Sequence, residues 1–453
     1  MKKLLNKTTK IARKYLKSMN SEKIQVSDVD REKLSGLDFE LQNNKVDASE
    51  VIDKMNALIS PATMKMTSSK FFGFVIGGSY PVSIASNWLT TVWDQNSGLE
   101  KTTPATAAVE KISSRWMLEI LGLPPESATA FVTGATVANF TALAAARNLI
   151  FKNAGWDVES DGLIGAPDLH IIISEESHPT VYKSLAMLGL GRNRVTKVMT
   201  DDQGRIDMNH FPEIKDNTII ITQAGNINSG ACDPISSICD LAKHKNAWVH
   251  VDGAFGLWAK ASKKYQYLLD GYEKADSWAT DAHKWLNVPY DSGLAFVKNE
   301  HALKAAMAIT ASYLPTENAG RNPSDYTPEL SRKARGIDIY AVLHHLGKSG
   351  VEELIERCCA CAKQFAQGFS EAGYEVMNDV VLNQVVINFG SEKANIKIME
   401  AVQQEGTCWV GQTHWKGITA MRISVCNWQT NQEDVEESLS VILSIAKHYN
   451  AKN

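Results

Sequence analysis

Four short runs of β-branched and aliphatic residues, with helical stretches between them, constrain this chain more than any other feature. They are 168–173 (Asp168-Leu169-His170-Ile171-Ile172-Ile173), 217–222 (Asn217 to Thr222), 247–251 (Ala247-Trp248-Val249-His250-Val251) and 292–297 (Ser292 to Val297). Helical spacing fills 181–190 and 235–246. Strands that are apolar almost throughout, with helices between them, imply a mostly parallel sheet covered on both faces. Such a sheet binds its ligand beyond the carboxyl ends of its strands. This α/β pattern begins near residue 125. Residues 1–75 read as a helical arm, with 46–58 clearly amphipathic. After Pro328 the character changes to two helices (334–346 and 351–371), short strands near 385–389 and 421–425, and a last helix over 433–448. The expected division is an arm (1–75), a large domain (76–330) and a small C-terminal α+β domain (331–453).

With 453 residues, 44% of them apolar, the chain can bury a large core and exceeds one domain of ordinary size. Its 47 basic and 51 acidic residues leave no basic footprint for a nucleic acid. Cys358, Cys359 and Cys361 fall in a helical pattern with no histidine close by, so they read as free thiols in a reducing cytosol, not as metal ligands. No metal site is expected, and the expected location is cytoplasmic. Residues 71–93 carry no charge and are long enough to span a bilayer, but Gly73, Gly77, Gly78 and Pro81 mark a folded, turning segment. No membrane partner is expected. The basic N-terminus (Lys2 to Lys17, with no acid before Glu22) lacks the apolar centre of a secretory signal. It reads as a helical arm that packs on a partner subunit, with a targeting or membrane-surface helix as the alternative.

The chemistry starts at Asp281-Ala282-His283-Lys284-Trp285-Leu286, between two predicted strands. A lysine amine placed at the ligand edge can form a Schiff base with an aldehyde, and pyridoxal 5'-phosphate (PLP) is the common aldehyde cofactor. Most lysines are solvated surface charges, so this alone decides little. Upstream lies His250-Val251-Asp252-Gly253-Ala254-Phe255, which puts Asp252 at the carboxyl end of a strand. A carboxylate there would keep a pyridine nitrogen protonated. Helix capping is the plainer explanation of such an aspartate, but Asp252 and Lys284 together argue against it. In Val132-Thr133-Gly134-Ala135-Thr136-Val137-Ala138-Asn139, small and hydroxyl residues open an alanine-rich helix. Its N–H groups, from Ala135 and Thr136 in particular, could bind a phosphate, although a plain capped helix explains this segment equally well. His178, after the strand ending at Ile173, could lie flat on a cofactor ring or be a solvated loop residue.

These motifs, in this order, resemble the group II PLP-dependent amino acid decarboxylases, which include glutamate and aromatic amino acid enzymes. The resemblance runs from about Phe71 to the C-terminus. It implies the aspartate aminotransferase-like fold (fold type I) and a homodimer with active sites at the subunit interface. By the same resemblance, Lys284 carries the Schiff base beside His283, and Asp252 pairs with the ring nitrogen. Ala254 and His178 flank the ring, while Ala135 and Thr136 hold the phosphate. Tyr313, at the start of a loop resembling the family's mobile loop, would protonate the substrate Cα, with Tyr326 as a weaker alternative. Arg422 would hold the substrate carboxylate. Phe72 and Phe74 resemble the family's pocket-lining segment, with Trp88 and Trp93 nearby. Gln223 and Asn226 stand where the family usually has hydroxyl residues near the cofactor. Asp281 stands where asparagine is common, and is expected to point away from a phosphate that would repel it.

The implied reaction converts an L-amino acid into its amine and CO₂. Other chemistry on the same scaffold, such as aldehyde-forming oxidative decarboxylation or carbon–carbon cleavage, is the alternative. The presence of Tyr313 favours simple decarboxylation. A catalytically silent relative would be expected to lack Lys284 or Asp252.

Overall fold

The computed structural model describes residues 1–309 and 320–452. Its strands, in chain order, are β1 (Ala128–Val132), β2 (His170–Ser174), β3 (Thr196–Val198), β4 (Thr218–Gln223), β5 (Trp248–Asp252), β6 (Ser277–Asp281), β7 (Gly293–Val297), β8 (Glu375–Val376), β9 (Gln384–Asn388), β10 (Gly411–Trp415) and β11 (Ile418–Ser424). The first seven form one sheet in the order β1-β7-β6-β5-β4-β2-β3. Neighbours from β6 to β3 pair in parallel. β7 is reversed and pairs antiparallel with both β6 and β1. The other four strands form an antiparallel sheet in the order β10-β11-β9-β8.

β1, β5, β6 and β7 are buried at every position, as expected for strands covered on both faces. The helix Ala135–Asn153 lies across this sheet against β6 and β7. Its run of buried alanines (Ala142, Ala144, Ala145, Ala146) lets the backbone approach closely. At its start the fit is tightest: a Cβ on Gly293 of β7 would come within 2.4 Å of the Gly134 Cα.

The expected pair of helices after residue 334 is one stretch, Gly336–Glu371, broken at Gly347 (φ 60°, ψ −175°), a conformation that suits glycine. Cys358, Cys359 and Cys361 are buried on it, and burial pushes their thiols up. The last helix is Gln432–Lys452, begun by a reciprocal pair in which Asp434 N–H donates to Asn431 Oδ1 and Asn431 N–H to Asp434 Oδ2. The segment 71–93 is a loop followed by the helix Pro81–Trp93, and no helix among the described residues is long and apolar enough to cross a membrane. The N-terminal helix Lys2–Ser18 buries none of its residues.

Candidate active site

Sheet register brings the predicted residues together. Gln223 at the end of β4 pairs with Asp252 at the end of β5, Asp252 pairs with Ala279 of β6, and Asp281 pairs with Gly293. Asp252 is buried, and both its oxygens are occupied: Oδ1 accepts from the Ala254 N–H at 3.1 Å and Oδ2 from Asn139 Nδ2 at 3.0 Å. His178 follows β2 and caps the helix Pro179–Met187, its Nδ1 accepting from the Thr180 N–H at 3.3 Å. Burial holds His178 below the ordinary histidine range. Asp252 works against that shift, whereas Lys284 and Arg422 add to it, so these groups share one electrostatic neighbourhood.

Lys284 lies on the segment between β6 and β7. Asn287 in that segment has a left-handed φ of 55°, which asparagine tolerates. Its Nδ2 donates to the carbonyls of Trp285 (2.8 Å) and Cys426 (3.0 Å), and its Oδ1 accepts from the Trp428 N–H at 3.0 Å. Trp285 and Leu286 are fully buried. The stretch 77–80 lies across the segment so closely that a Cβ on Gly77 would meet the Lys284 carbonyl oxygen at 2.0 Å. His283 stacks on Tyr290 (centroids 4.4 Å apart), and its Nδ1 accepts from the Ser292 N–H.

Several expectations need correction. Asp281 does not point elsewhere. Its Oδ1 accepts from the Ala135 N–H at 2.6 Å, and its Oδ2 lies 3.0 Å from Lys284 Nζ. A helix start with unbonded N–H groups attracts a carboxylate as readily as a phosphate. Phe72 is fully buried edge-on against Phe365, so it is a core residue and not a pocket wall. Phe74 is exposed and stacks on Trp409. Trp88 and Trp93 are also exposed. Tyr326 is buried and donates its hydroxyl to Glu300, so it is engaged in packing. Tyr313 lies outside the described residues. Asn226 is a loop staple: its Oδ1 accepts from Asn228 N–H (2.8 Å), and its Nδ2 donates to Glu176 Oε2 (2.7 Å).

Arg422 sits on β11 and is buried. Its Nη1 donates to the Ile227 carbonyl at 3.3 Å, and its Nε has no partner among the described residues. It forms no ion pair with a described carboxylate, and burial lowers the guanidinium to about 10.

The family model described as "Pyridoxal-dependent decarboxylase conserved domain" matches residues 31–389. The chain belongs to this family. It is accordingly a PLP-dependent enzyme of the carboxy-lyase class. An aromatic-L-amino-acid decarboxylase of Bacillus atrophaeus is 25% identical, over 96% of this chain and 92% of that protein. An acidic amino acid decarboxylase of Xenopus tropicalis is also 25% identical, over 90% and 84%. Among solved structures, tryptophan decarboxylase of Catharanthus roseus in complex with L-tryptophan superposes with a TM-score of 0.87 at 19% identity, covering 99% of this chain and 98% of that one. The 4-hydroxyphenylacetaldehyde synthase of Rhodiola rosea superposes at 0.85 with 20% identity, covering 98% and 97%. These likenesses show that the decarboxylase has the fold of that family.

The residues present fit the cofactor. Gln223 Nε2, Ser177 Oγ, Ser292 Oγ and Arg422 Nε are buried without a partner among the described residues, and each lies in, beside or in register with a residue named above. Thr136 keeps a hydroxyl with no partner among the described residues at the helix start. Sequence reasoning missed Asn139, Asn287 and the role of His250. For Asn139 and His250 the available signal was a polar residue in an otherwise apolar helix or strand; Asn287 lies in a loop and gave none. His250 is fully buried, and burial pushes it down to about 3. The unfolded chain therefore binds a proton that the folded decarboxylase does not, between about pH 6.5 and pH 3, and stability falls as pH falls through that window. Denaturant titrations should show a loss of about 2 kcal/mol from His250 between pH 6.5 and pH 5, which His250→Gln removes.

Proposed function

We propose that this enzyme removes the α-carboxylate of an L-amino acid as CO₂ and releases the amine, in a homodimer. Lys284 would hold the cofactor through its aldehyde and would free that position for the substrate amine. Asp252 would pair with the ring nitrogen, His178 and Ala254 would flank the ring, and Thr136 at the helix start would contribute to phosphate binding, with His283 and Gln223 beside it. When bound, PLP accepts the electron pair released as CO₂ departs. Tyr313 is assigned the return of a proton to Cα. Asp281 competes for the Ala135 N–H, so we assign the phosphate chiefly to Thr136 and its neighbours.

The observation that carries this reading is the buried Arg422 guanidinium with no described carboxylate to neutralise it. A buried cation without a counter-charge is costly, and a substrate carboxylate would relieve that cost. Arg422→Met should therefore lower kcat/KM by roughly 30-fold or more, mainly through KM, because a buried charge pair loses one partner. Mass spectrometry of products from a mixture of amino acids, with Lys284→Ala as the blank, tests the reaction itself. One new amine supports the proposal. An aldehyde formed with oxygen consumption would instead assign oxidative decarboxylation, the reading suggested by the aldehyde synthases among the similar proteins.

The dimer is supported by Trp88, Leu89, Val92 and Trp93, exposed on the helix Pro81–Trp93. A patch of large apolar side chains of this kind commonly marks a protein interface. Sedimentation of the loaded protein should give twice the 49.8 kDa chain mass.

A further inference from the structure

Asp252 ends a buried hydrogen-bonded chain that none of the roles above uses. Asn139 Oδ1 lies 2.9 Å from His250 Nε2. His250 Nδ1 lies 2.8 Å from Ser277 Oγ, and Trp248 Nε1 donates to the same oxygen at 2.8 Å. Asn139, His250 and Ser277 are fully buried. They come from three elements: the helix Ala135–Asn153, β5 and β6.

The polarity of this chain is fixed from both ends. An indole N–H only donates, so Ser277 accepts from Trp248 and has its own hydrogen to give. An ionised carboxylate only accepts, so Asn139 must turn its amide nitrogen to Asp252 and its oxygen to His250. His250 then carries its hydrogen on Nε2 and takes the Ser277 hydroxyl hydrogen at Nδ1. Every member is satisfied in this one arrangement, and the imidazole in it is neutral. Burial keeps it neutral.

We propose that Asn139, His250 and Ser277 are positioning residues that aim the Asp252 carboxylate and preserve its basicity toward the cofactor ring nitrogen. This rests on the reading that Asp252 pairs with that nitrogen. The physical case is that a polarised chain of neutral donors holds a carboxylate in place without neutralising it. An imidazolium in the same position would draw off its charge and weaken its hold on a ring proton. A carboxylate fixed by one amide donor and one backbone N–H keeps its remaining lone pairs for the ring.

The test compares binding of PLP with binding of its 1-deaza analogue, in which C–H replaces the ring nitrogen. Both are aldehydes that Lys284 can capture. Dissociation constants are measured by equilibrium dialysis on the full-length cofactor-free protein. The wild type should prefer PLP, and Asp252→Ala should lose that preference. His250→Phe and Asn139→Leu should each reduce the preference about tenfold, the scale of one hydrogen bond to a charged group. His250→Gln repeats the acceptor and donor of the imidazole and should restore the preference to within about twofold of the wild type. If the first two variants weaken both ligands equally, the chain is merely structural and the proposal falls. If Asp252→Ala keeps the preference, the Asp252 reading fails instead. Should His250→Phe not fold, Asn139→Leu and Ser277→Ala carry the same comparison, with thermal melting of the cofactor-free proteins as the check.

Discussion

Lys284→Ala should abolish turnover, by at least about a thousandfold, because no neighbouring group can supply the amine that captures the cofactor and is regenerated in each cycle. The substitution should leave the fold intact. The Lys284 side chain is partly exposed, and its ion-pair partner among the described residues is Asp281, which keeps the Ala135 N–H as a partner when the amine is gone. The yellow colour of the loaded protein should be lost together with amine formation. A variant that keeps a tenth of wild-type turnover would remove Lys284 from the centre of the chemistry.

Asp252→Ala should be nearly as severe, with kcat reduced by roughly a hundred- to a thousandfold even at saturating PLP. The carboxylate is buried, so its charge acts in surroundings where water screens it poorly. Its removal also leaves Asn139 Nδ2 and the Ala254 N–H without their acceptor. Rates measured across a range of PLP concentrations separate this effect from weaker cofactor binding. Wild-type kcat at saturation would show that Asp252 serves only to retain the cofactor.

Much of this arrangement was legible before the fold was known. The runs ending at Ile173, Thr222 and Val251 became β2, β4 and β5, because apolar residues on both strand faces leave a buried strand as the natural solution. β6 was harder to see. Its sequence Ser277-Trp278-Ala279-Thr280-Asp281 has three small or hydroxylated residues and an acid, yet every position is buried. Its polar atoms find partners inside the protein: Ser277 with Trp248 and His250, Thr280 with the Gly253 carbonyl. No run of apolar residues announces a strand of that kind. The reversal of β7 was also invisible, since its apolar run reads the same in either direction.

The site shows a similar split. Lys284 and Asp252 were found as a pair: a lysine between two strands and a carboxylate ending a third are together not explained by solvation and capping. The misplacement of Asp281 came from weighing only its repulsion of a phosphate, when the attraction of the helix start acts in the opposite sense. Phe72 and Phe74 differ by two positions but have opposite fates, one in the core and one on the surface. A loop without periodicity gives no warning of that difference.

The reversed strand has an effect on the reacting amine. Parallel neighbours need a long crossover, whereas antiparallel ones can be joined by a short loop. Because β7 runs back beside β6, the chain leaves the ladder at Asp281 and rejoins it at Gly293, and those two residues are themselves cross-strand partners. Lys284 therefore rides on a tether whose ends are clamped to each other, and Asn287 ties it again from within. Such a loop has little conformational freedom left to lose. The entropy of ordering the backbone that carries the amine is lost when the protein folds, and not each time a substrate arrives.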